Sequence, residues 1–483
     1  MRQKIHAWLK QENVKSMSLY AASLLMMKGT SLIMLPFMAT YLTPSQFGHL
    51  ELLSITTVFF SLLVGLAMHE NLYRFIGTIK QPSVRFTRVC ELCSGSLITS
   101  MLLAVLFAIC YFILFSASTS ISHHQAILIA IFISFEAPLA ICLAWLRLNN
   151  KALTFFKVSF VTLIIQISLI VWILGTNPSV TLLFGVGALC SLMQTVYLYL
   201  HNKFSFKLPS NANYKKYLRY SSPLMLSSIV AFGLSGAERW VIVESHPLET
   251  LGIYAVAAKF ALALGILIQP FHMWWMPKRF EVLENQGTNK VVYHTQQGIA
   301  ALCLLSILVT WISQCFIMAT LPSTYHAASQ LVVICIIIML LKEMVELLNI
   351  GVLYAKKTNY LFYINVFATS IALSLAWTLK DTGVPAILLC LCLGQLIRLI
   401  LVAYFSESLH SMPYKVKALL SIVLVSLLFT SSGWYNNSTQ IAGLMLVVQP
   451  IIFLALLQKL NLIKFHKIYL KDNTSEKDIG RIL

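Results

Sequence analysis

Long apolar segments recur from one end of the chain to the other and limit what it can fold into. Each has about 17–28 residues, enough to cross the ~30 Å hydrocarbon core of a membrane once as a helix. Barrel strands would alternate polar and apolar side chains, and these segments do not. The sequence therefore predicts an all-α polytopic membrane protein with about 14 transmembrane helices. The predicted spans are 17–41, 50–71, 89–114, 126–147, 157–175, 181–201, 219–243, 248–272, 294–320, 326–350, 360–379, 384–405, 416–432 and 440–460.

Composition agrees with this prediction. Of the 483 residues, 58% are hydrophobic and only 11% are charged, which excludes a soluble enzyme, a disordered protein and an ordinary nucleic-acid-binding protein. The mean hydropathy of +0.79 is typical of polytopic membrane proteins. In such a protein the net charge of +18 indicates orientation rather than a nucleic-acid partner.

Basic residues indicate the orientation of the chain. With the N-terminus in the cytoplasm, 29 of the 35 lysines and arginines lie in cytoplasmic loops and tails, and only Lys380 lies in an outer loop. Because cytoplasmic loops are enriched in basic residues, this predicts fourteen crossings with both termini in the cytoplasm. The first span is too long for a cleavable signal peptide, so we expect it to stay as a signal anchor.

A faint internal repeat divides the chain. Similar turns follow the first and the seventh span, and their glycines, Gly48 and Gly252, lie 204 residues apart. Two basic turns, at 149–151 and 355–357, lie 206 residues apart. Six spans separate the copies, so the two halves have the same orientation and the substrate path is expected between them. The predicted segments are a six-helix bundle (1–201), a basic cytoplasmic linker (202–218), a second six-helix bundle (219–405), two additional helices (406–460) and a cytoplasmic tail (461–483).

The sequence contains no motif typical of catalysis. It has no Walker phosphate loop, and no loop exceeds about twenty residues, so we expect neither ATP hydrolysis nor a soluble catalytic domain. The ten cysteines lie in or beside apolar spans, which argues against disulfides. Cys90 and Cys93 have CxxC spacing without a second pair, and buried small residues are the preferred interpretation. We therefore expect no enzyme activity, cofactor or metal.

Five short motifs resemble a known family. Residues 44–48 (PSQFG) resemble the P-x-[EQ]-[FY]-G turn of polysaccharide-exporter flippases, and residues 220–224 (YSSPL) resemble their Y-S-x-P-L motif. Residues 146–147, 238–240 and 251–259 resemble three further motifs, with Glu238 where many relatives have Asp. The resemblance implies a Wzx-type oligosaccharide flippase, from the superfamily that includes multidrug and toxin exporters and lipid II flippases. Its fold would be a V-shaped pair of six-helix bundles.

This resemblance also implies a function and partners. The family moves undecaprenyl-pyrophosphate-linked oligosaccharide units between the leaflets of the bacterial inner membrane by alternating access, for O-antigen, capsule or exopolysaccharide synthesis. The implied partners are a polyprenyl-pyrophosphate-linked glycan and the bilayer, with a polysaccharide polymerase, a chain-length regulator and a coupling cation as further candidates. A cation-coupled small-molecule or multidrug exporter and a lipid II flippase of the same superfamily stay open. A polysaccharide polymerase is disfavoured because the outer loops are short.

Ionisable residues inside the spans are the candidate functional residues, because each costs about 2.5–3.5 kcal/mol at a helix centre. Lys28 and Lys259 lie roughly 16 and 14 Å into spans one and eight, at matching depth in the two bundles. A pyrophosphate group needs cationic partners when it leaves water, so we expect these lysines to bind it. The alternative is that each pairs with a buried carboxylate. Arg239, Lys342 and Arg398 complete the predicted cationic cavity.

These three cations have alternative explanations. Arg239 and Arg398 lie toward span ends, where snorkelling to headgroups is the alternative, and Glu238 is expected to point about 100° away from Arg239. Lys342 and Glu346 share a helix face, which favours mutual neutralisation.

Two carboxylates are candidates for ion coupling. Glu136 lies at the centre of span four with no cation within a turn, just before Pro138, which loosens the helix and admits water. It is therefore a candidate for binding a coupling proton or sodium ion, although a protonated structural carboxyl bonded to a neighbouring helix is the favoured interpretation. Glu238 is the second candidate.

Overall fold

The computed structural model describes residues 12–114 and 121–462, and every regular element in these ranges is helical. The prediction of an all-α membrane protein is confirmed. The ends of the predicted N-terminal and C-terminal tails, 1–11 and 463–483, lie outside the described residues. In chain order the helices are α1 (Glu12–Ile33), α2 (Leu35–Tyr41), α3 (Pro44–Gly65), α4 (Pro82–Leu114), α5 (His123–Leu148), α6 (Ala152–Thr176), α7 (Val180–His201), α8 (Asn211–Gly233), α9 (Glu238–Ser245), α10 (Leu248–Trp275), α11 (Arg279–Gln286), α12 (Thr288–Thr320), α13 (Ala328–Leu348), α14 (Ile350–Tyr354), α15 (Thr358–Thr378), α16 (Val384–Leu409), α17 (Val416–Ser432) and α18 (Thr439–Lys459).

The number of membrane crossings is only partly supported. Within the described ranges, 11 helices are long and apolar enough to cross a membrane, or 12 if the bent pair α8 and α9 forms one span. The other two predicted spans, 17–41 and 326–350, fall on α1–α2 and on α13, which are not among them. The count of about 14 therefore stays a prediction.

Three predicted spans are interrupted in the structure. The first is broken at Met34, two residues before Pro36, because proline cannot donate a helix hydrogen bond. The second ends at Gly65, where Leu66 adopts a left-handed conformation, and a π-helical turn at Leu72–Ile76 follows. The seventh bends by 47° between α8 and α9. Hydropathy alone does not register such breaks, since the residues around them stay apolar.

The helices pack in two groups that follow the sequence repeat. In the first half α5 contacts α3, α4 and α7, and in the second half α13 contacts α10, α12 and α16. The last two helices, α17 and α18, pack against α12. The main contact between the halves joins α3 to α10. The division of the chain into the predicted segments stays a prediction.

Two glycines allow α3 and α10 to touch backbone to backbone. A Cβ atom added at Gly48 would lie 1.9 Å from the carbonyl oxygen of Leu248, and one added at Gly252 would lie 1.9 Å from that of Pro44. Only glycine permits such an approach. These are equivalent positions of the repeat, so each half presents the same turn to the other. We call this contact the glycine seam; the predicted topology places it on the outer side.

Candidate functional site

Two cavities meet beside the glycine seam. The larger, of about 620 Å³, lies mainly within the first half between α1, α3 and α5, and reaches α8 and α10. The smaller, of about 280 Å³, lies in the second half between α9, α10 and α13. Ser31, Glu51 and Lys259 line both. These three polar residues therefore lie at the boundary between the halves and are accessible from both cavities.

Glu51 bridges the two halves at this point. Its Oε1 accepts a hydrogen bond from Arg239 Nε at 2.8 Å, and its Oε2 lies 3.5 Å from Lys259 Nζ. The side chains of Glu51 and Arg239 are only 13% and 12% exposed. Glu51 lies three residues beyond Gly48, on the same face of α3. The close approach at the glycine seam thus brings this carboxylate within reach of cations on α9 and α10.

Arg239 has a second carboxylate partner. Its Nη1 lies 2.5 Å from Glu238 Oε1, which also accepts a hydrogen bond from the Tyr254 hydroxyl at 2.8 Å. Although neighbouring helix positions point about 100° apart, Glu238 and Arg239 form an ion pair, because the long arginine side chain reaches back across that angle. The Arg239 side chain is 12% exposed and lines the smaller cavity. With Lys259 and Glu51, the cluster contains two cations and two carboxylates.

The remaining predicted cations are placed differently. Lys342 lines the smaller cavity and forms no ion pair with any described residue, so the expected neutralisation by Glu346 is not formed. Glu346 Oε1 instead lies 3.4 Å from Arg398 Nη2, and Arg398 Nε donates to Asn365 Oδ1 at 2.7 Å. Arg398 is held between helices of the second half and lines neither cavity. Its predicted role in binding stays a prediction.

Glu136 lines the larger cavity from α5. Within the described ranges it has no ion-pair or hydrogen-bond partner. Around it, the wall offers hydroxyl groups of Ser54, Thr57 and Ser61. Lys28 belongs to α1, but its side chain lies outside the described part of the structure. Whether Lys28 faces Lys259 stays a prediction.

Glu51 is the residue that the sequence analysis missed. As the second residue of the predicted span 50–71, it fell at the membrane edge. In the structure α3 begins at Pro44, so Glu51 lies about 10 Å into the helix. The sequence does contain a signal for this earlier helix start, because Thr43 and Gln46 form a capping box. Its ion-pair partners, however, are 188 and 208 residues away in the sequence.

Sequence comparison assigns the chain to a family. A family model described as polysaccharide biosynthesis protein matches residues 14–281, more than half of the chain. The chain belongs to this family. No curated protein matches the sequence.

Solved structures show a similar fold. Lipid II flippase MurJ, in an inward closed conformation, superposes with a TM-score of 0.67 at 14% identity, over 95% of this chain and 100% of that chain. MATE in complex with MaD3S superposes with a TM-score of 0.52 at 13% identity, over 84% of this chain and 97% of that one. At such low identities the similarity shows the fold alone. The predicted exporter fold is confirmed.

Proposed function

We propose that this protein flips undecaprenyl-pyrophosphate-linked oligosaccharide units from the inner to the outer leaflet of the bacterial inner membrane, for O-antigen, capsule or exopolysaccharide synthesis. The observation that carries the proposal is the ionic cluster beside the glycine seam. Arg239 and Lys259 come from the second half, and their shared partner Glu51 comes from the first. The cations for an anionic headgroup therefore lie where alternating access would separate the halves.

The pyrophosphate group would compete with Glu51 for these cations. Arginine and lysine bind phosphate oxygens through charge-assisted hydrogen bonds, and pyrophosphate offers more anionic oxygens than one carboxylate. A headgroup entering the larger cavity would replace Glu51 on Lys259 and Arg239, with Lys28 as a further proposed partner. The hydroxyl groups of Ser54, Thr57 and Ser61 are suited to hydrogen-bond sugars.

Displacing Glu51 would also loosen the contact between the halves. The ion pairs of Glu51 hold α3 against α9 and α10. Once the headgroup occupies the cations, α3 is free to move away on the outer side and open the path to the outer leaflet. In an empty transporter the same movement would leave buried charges unpaired, at a cost of several kcal/mol. Occupancy of the site would thus permit opening.

The other predicted residues have distinct proposed roles. Glu136 is the proposed site for a coupling proton or sodium ion, because it is a carboxylate in the cavity wall with no partner in the described ranges. Glu238, bound to Arg239 and Tyr254, is proposed to hold the arginine in place. We further propose cytoplasmic termini, and a polymerase and a chain-length regulator as partners.

The carboxylates of the larger cavity favour a second candidate function. Glu51 and Glu136 line this cavity, and the described part of its wall contains one lysine or arginine, Lys259. A cation-coupled exporter of small cationic molecules would use such carboxylates directly. A lipid II flippase would use the same pyrophosphate chemistry with a different glycan.

Transport by the purified protein tests the proposal. Full-length protein in vesicles would receive a polyprenyl-pyrophosphate oligosaccharide on the side corresponding to the cytoplasm, and a lectin would detect the glycan on the other side. We expect transport by the wild type and its loss in Lys259→Gln. Lys417→Gln, an exposed lysine at the start of α17, is the matched control. Gradient-driven uptake of a cationic dye without glycan movement would contradict the flippase and support the exporter.

A further inference from the structure

A basic pocket lies at the inner end of α8. It measures about 490 Å³ and is lined by Lys215, Lys216 and Arg219 together with Phe75, Ala212 and Tyr220. The three basic side chains are exposed, and none forms an ion pair with any described residue. Among the described residues that line this pocket there is no carboxylate. The three basic side chains of the pocket are therefore available to bind an anion from outside the protein.

Helix geometry and aromatic contacts organise the pocket. Positions 212, 215, 216 and 219 follow the three- and four-residue spacing that places side chains on one helix face. Lys216 Nζ lies 4.4 Å from the ring centre of Phe75, and the ring of Tyr220 meets that of Phe75 edge-on at 5.2 Å. Phe75 belongs to the π-helical turn after α3. Phe75 thus packs against α8, which supplies the three cations and Tyr220.

The pocket lies next to the larger cavity. His69 lines that cavity six residues before Phe75, and Met225 lines it five residues after Tyr220. Five residues of helix span about 7.5 Å. The predicted topology puts this end of α8 on the cytoplasmic side, where the lipid-linked glycan is made. A headgroup held in the pocket would therefore lie at the inner mouth of the cavity.

The charge of the pocket suits a pyrophosphate better than a common phospholipid. A diester phosphate carries one negative charge, whereas a pyrophosphate that joins a polyprenol to a glycan carries about two and presents oxygens to several donors at once. Tyr220 also begins the YSSPL motif, for which the central cluster provides no role. We infer that this pocket is a loading site, which captures the pyrophosphate headgroup from the cytoplasmic leaflet before it enters the larger cavity. This inference rests on the proposed function.

Local photolabelling tests the loading site. A photoreactive amino acid would replace Ala212 in the full-length protein, in phosphatidylcholine vesicles containing radiolabelled polyprenyl pyrophosphate. We expect strong labelling, and about a hundredfold less in the triple variant Lys215→Gln/Lys216→Gln/Arg219→Gln, since each basic residue near an anionic headgroup contributes about fivefold. If the triple variant folds poorly, the single variant Lys216→Gln should still show about fivefold less labelling than the wild type.

A matched control removes the same charge elsewhere on the cytoplasmic face. Lys415, Lys417 and Lys459 are exposed at the ends of α17 and α18, and their triple glutamine variant should label like the wild type. Equal labelling of the Lys215/Lys216/Arg219 variant and the wild type would overturn the loading site. Competition by phosphatidylglycerol in proportion to its charge would also overturn it, because the pocket would then be a general anionic-lipid site.

The loading site and the proposed function can fail separately. Lys259→Gln should abolish transport but leave labelling at position 212 unchanged. Labelling that depends on the three cations, in a wild type that moves no lipid, would support the pocket and contradict the flippase. Normal transport at low lipid concentration by the triple pocket variant would support the flippase and contradict the loading site.

Discussion

Replacing Glu51 by glutamine should open the outer side of the empty transporter. The amide keeps the shape of the side chain but loses the ion pairs of 2.8 Å with Arg239 and 3.5 Å with Lys259. Breaking a buried ion pair typically costs about 3–5 kcal/mol. In this cluster Arg239 keeps Glu238, so the loss falls mainly on Lys259, which is 21% exposed. We therefore expect the lower value, about 3 kcal/mol, which corresponds to roughly a hundredfold higher open-to-closed ratio.

Distances between labels on the two halves measure this ratio. Ser45 and Glu249 are exposed, lie at the starts of α3 and α10, and are equivalent positions of the repeat. Spin labels on genetically encoded amino acids at these positions should give one short distance in the empty wild type. Polyprenyl pyrophosphate should add a longer distance. Glu51→Gln should show the longer distance without any ligand.

Two further variants distinguish the loss of the Glu51 ion pairs from a non-specific effect of removing a charge or destabilising the fold. Glu91→Gln removes a carboxylate that pairs with Arg88 at 2.7 Å within α4, so it should behave like the wild type. Glu51→Gln/Lys259→Gln leaves the cluster neutral, should fold well, and should still open without ligand. If both variants that lack Glu51 keep the short distance of the empty wild type, the idea that its ion pairs hold the outer side closed is refuted.

The remaining predictions concern topology, coupling and the seam. A reporter fused at Asn285 should be located in the cytoplasm, and one fused at Ser438 should be located outside the membrane. A cytoplasmic location at Ser438 would contradict fourteen crossings. Glu136→Gln should keep membrane abundance but lose gradient-dependent transport; unchanged gradient dependence would exclude it as the coupling residue. Gly252→Ala places a Cβ 1.9 Å from the Pro44 carbonyl oxygen, so the spin-label assay should show opening by about 1–3 kcal/mol. Gly443→Ala, with open space around it, is the control and should change nothing.

Local sequence patterns predicted the elements but not the pairing of charges. Hydrophobic length located the helices, and the repeat identified Gly48 and Gly252, because both signals lie in short stretches of chain. Glu51 was missed because its depth depends on where α3 begins, and its partners lie on distant helices. Likewise, Glu346 pairs with Arg398 rather than with Lys342. Helical spacing reports which residues share a face, whereas packing between helices decides which charges meet.

The glycine seam has a consequence for how such a transporter seals. Interlocking side chains must change rotamer before two helices can part, and they leave gaps if they return in another arrangement. At the seam, glycine faces carbonyl oxygen on both sides, so under the proposed alternating access the surfaces would separate and meet again without a change of rotamer. A closure of this kind can exclude small ions in every cycle without demanding any rearrangement of the side chains around it. Under the proposed function, a gate that closes in this way would limit the leak of ions while a large cargo crosses the membrane.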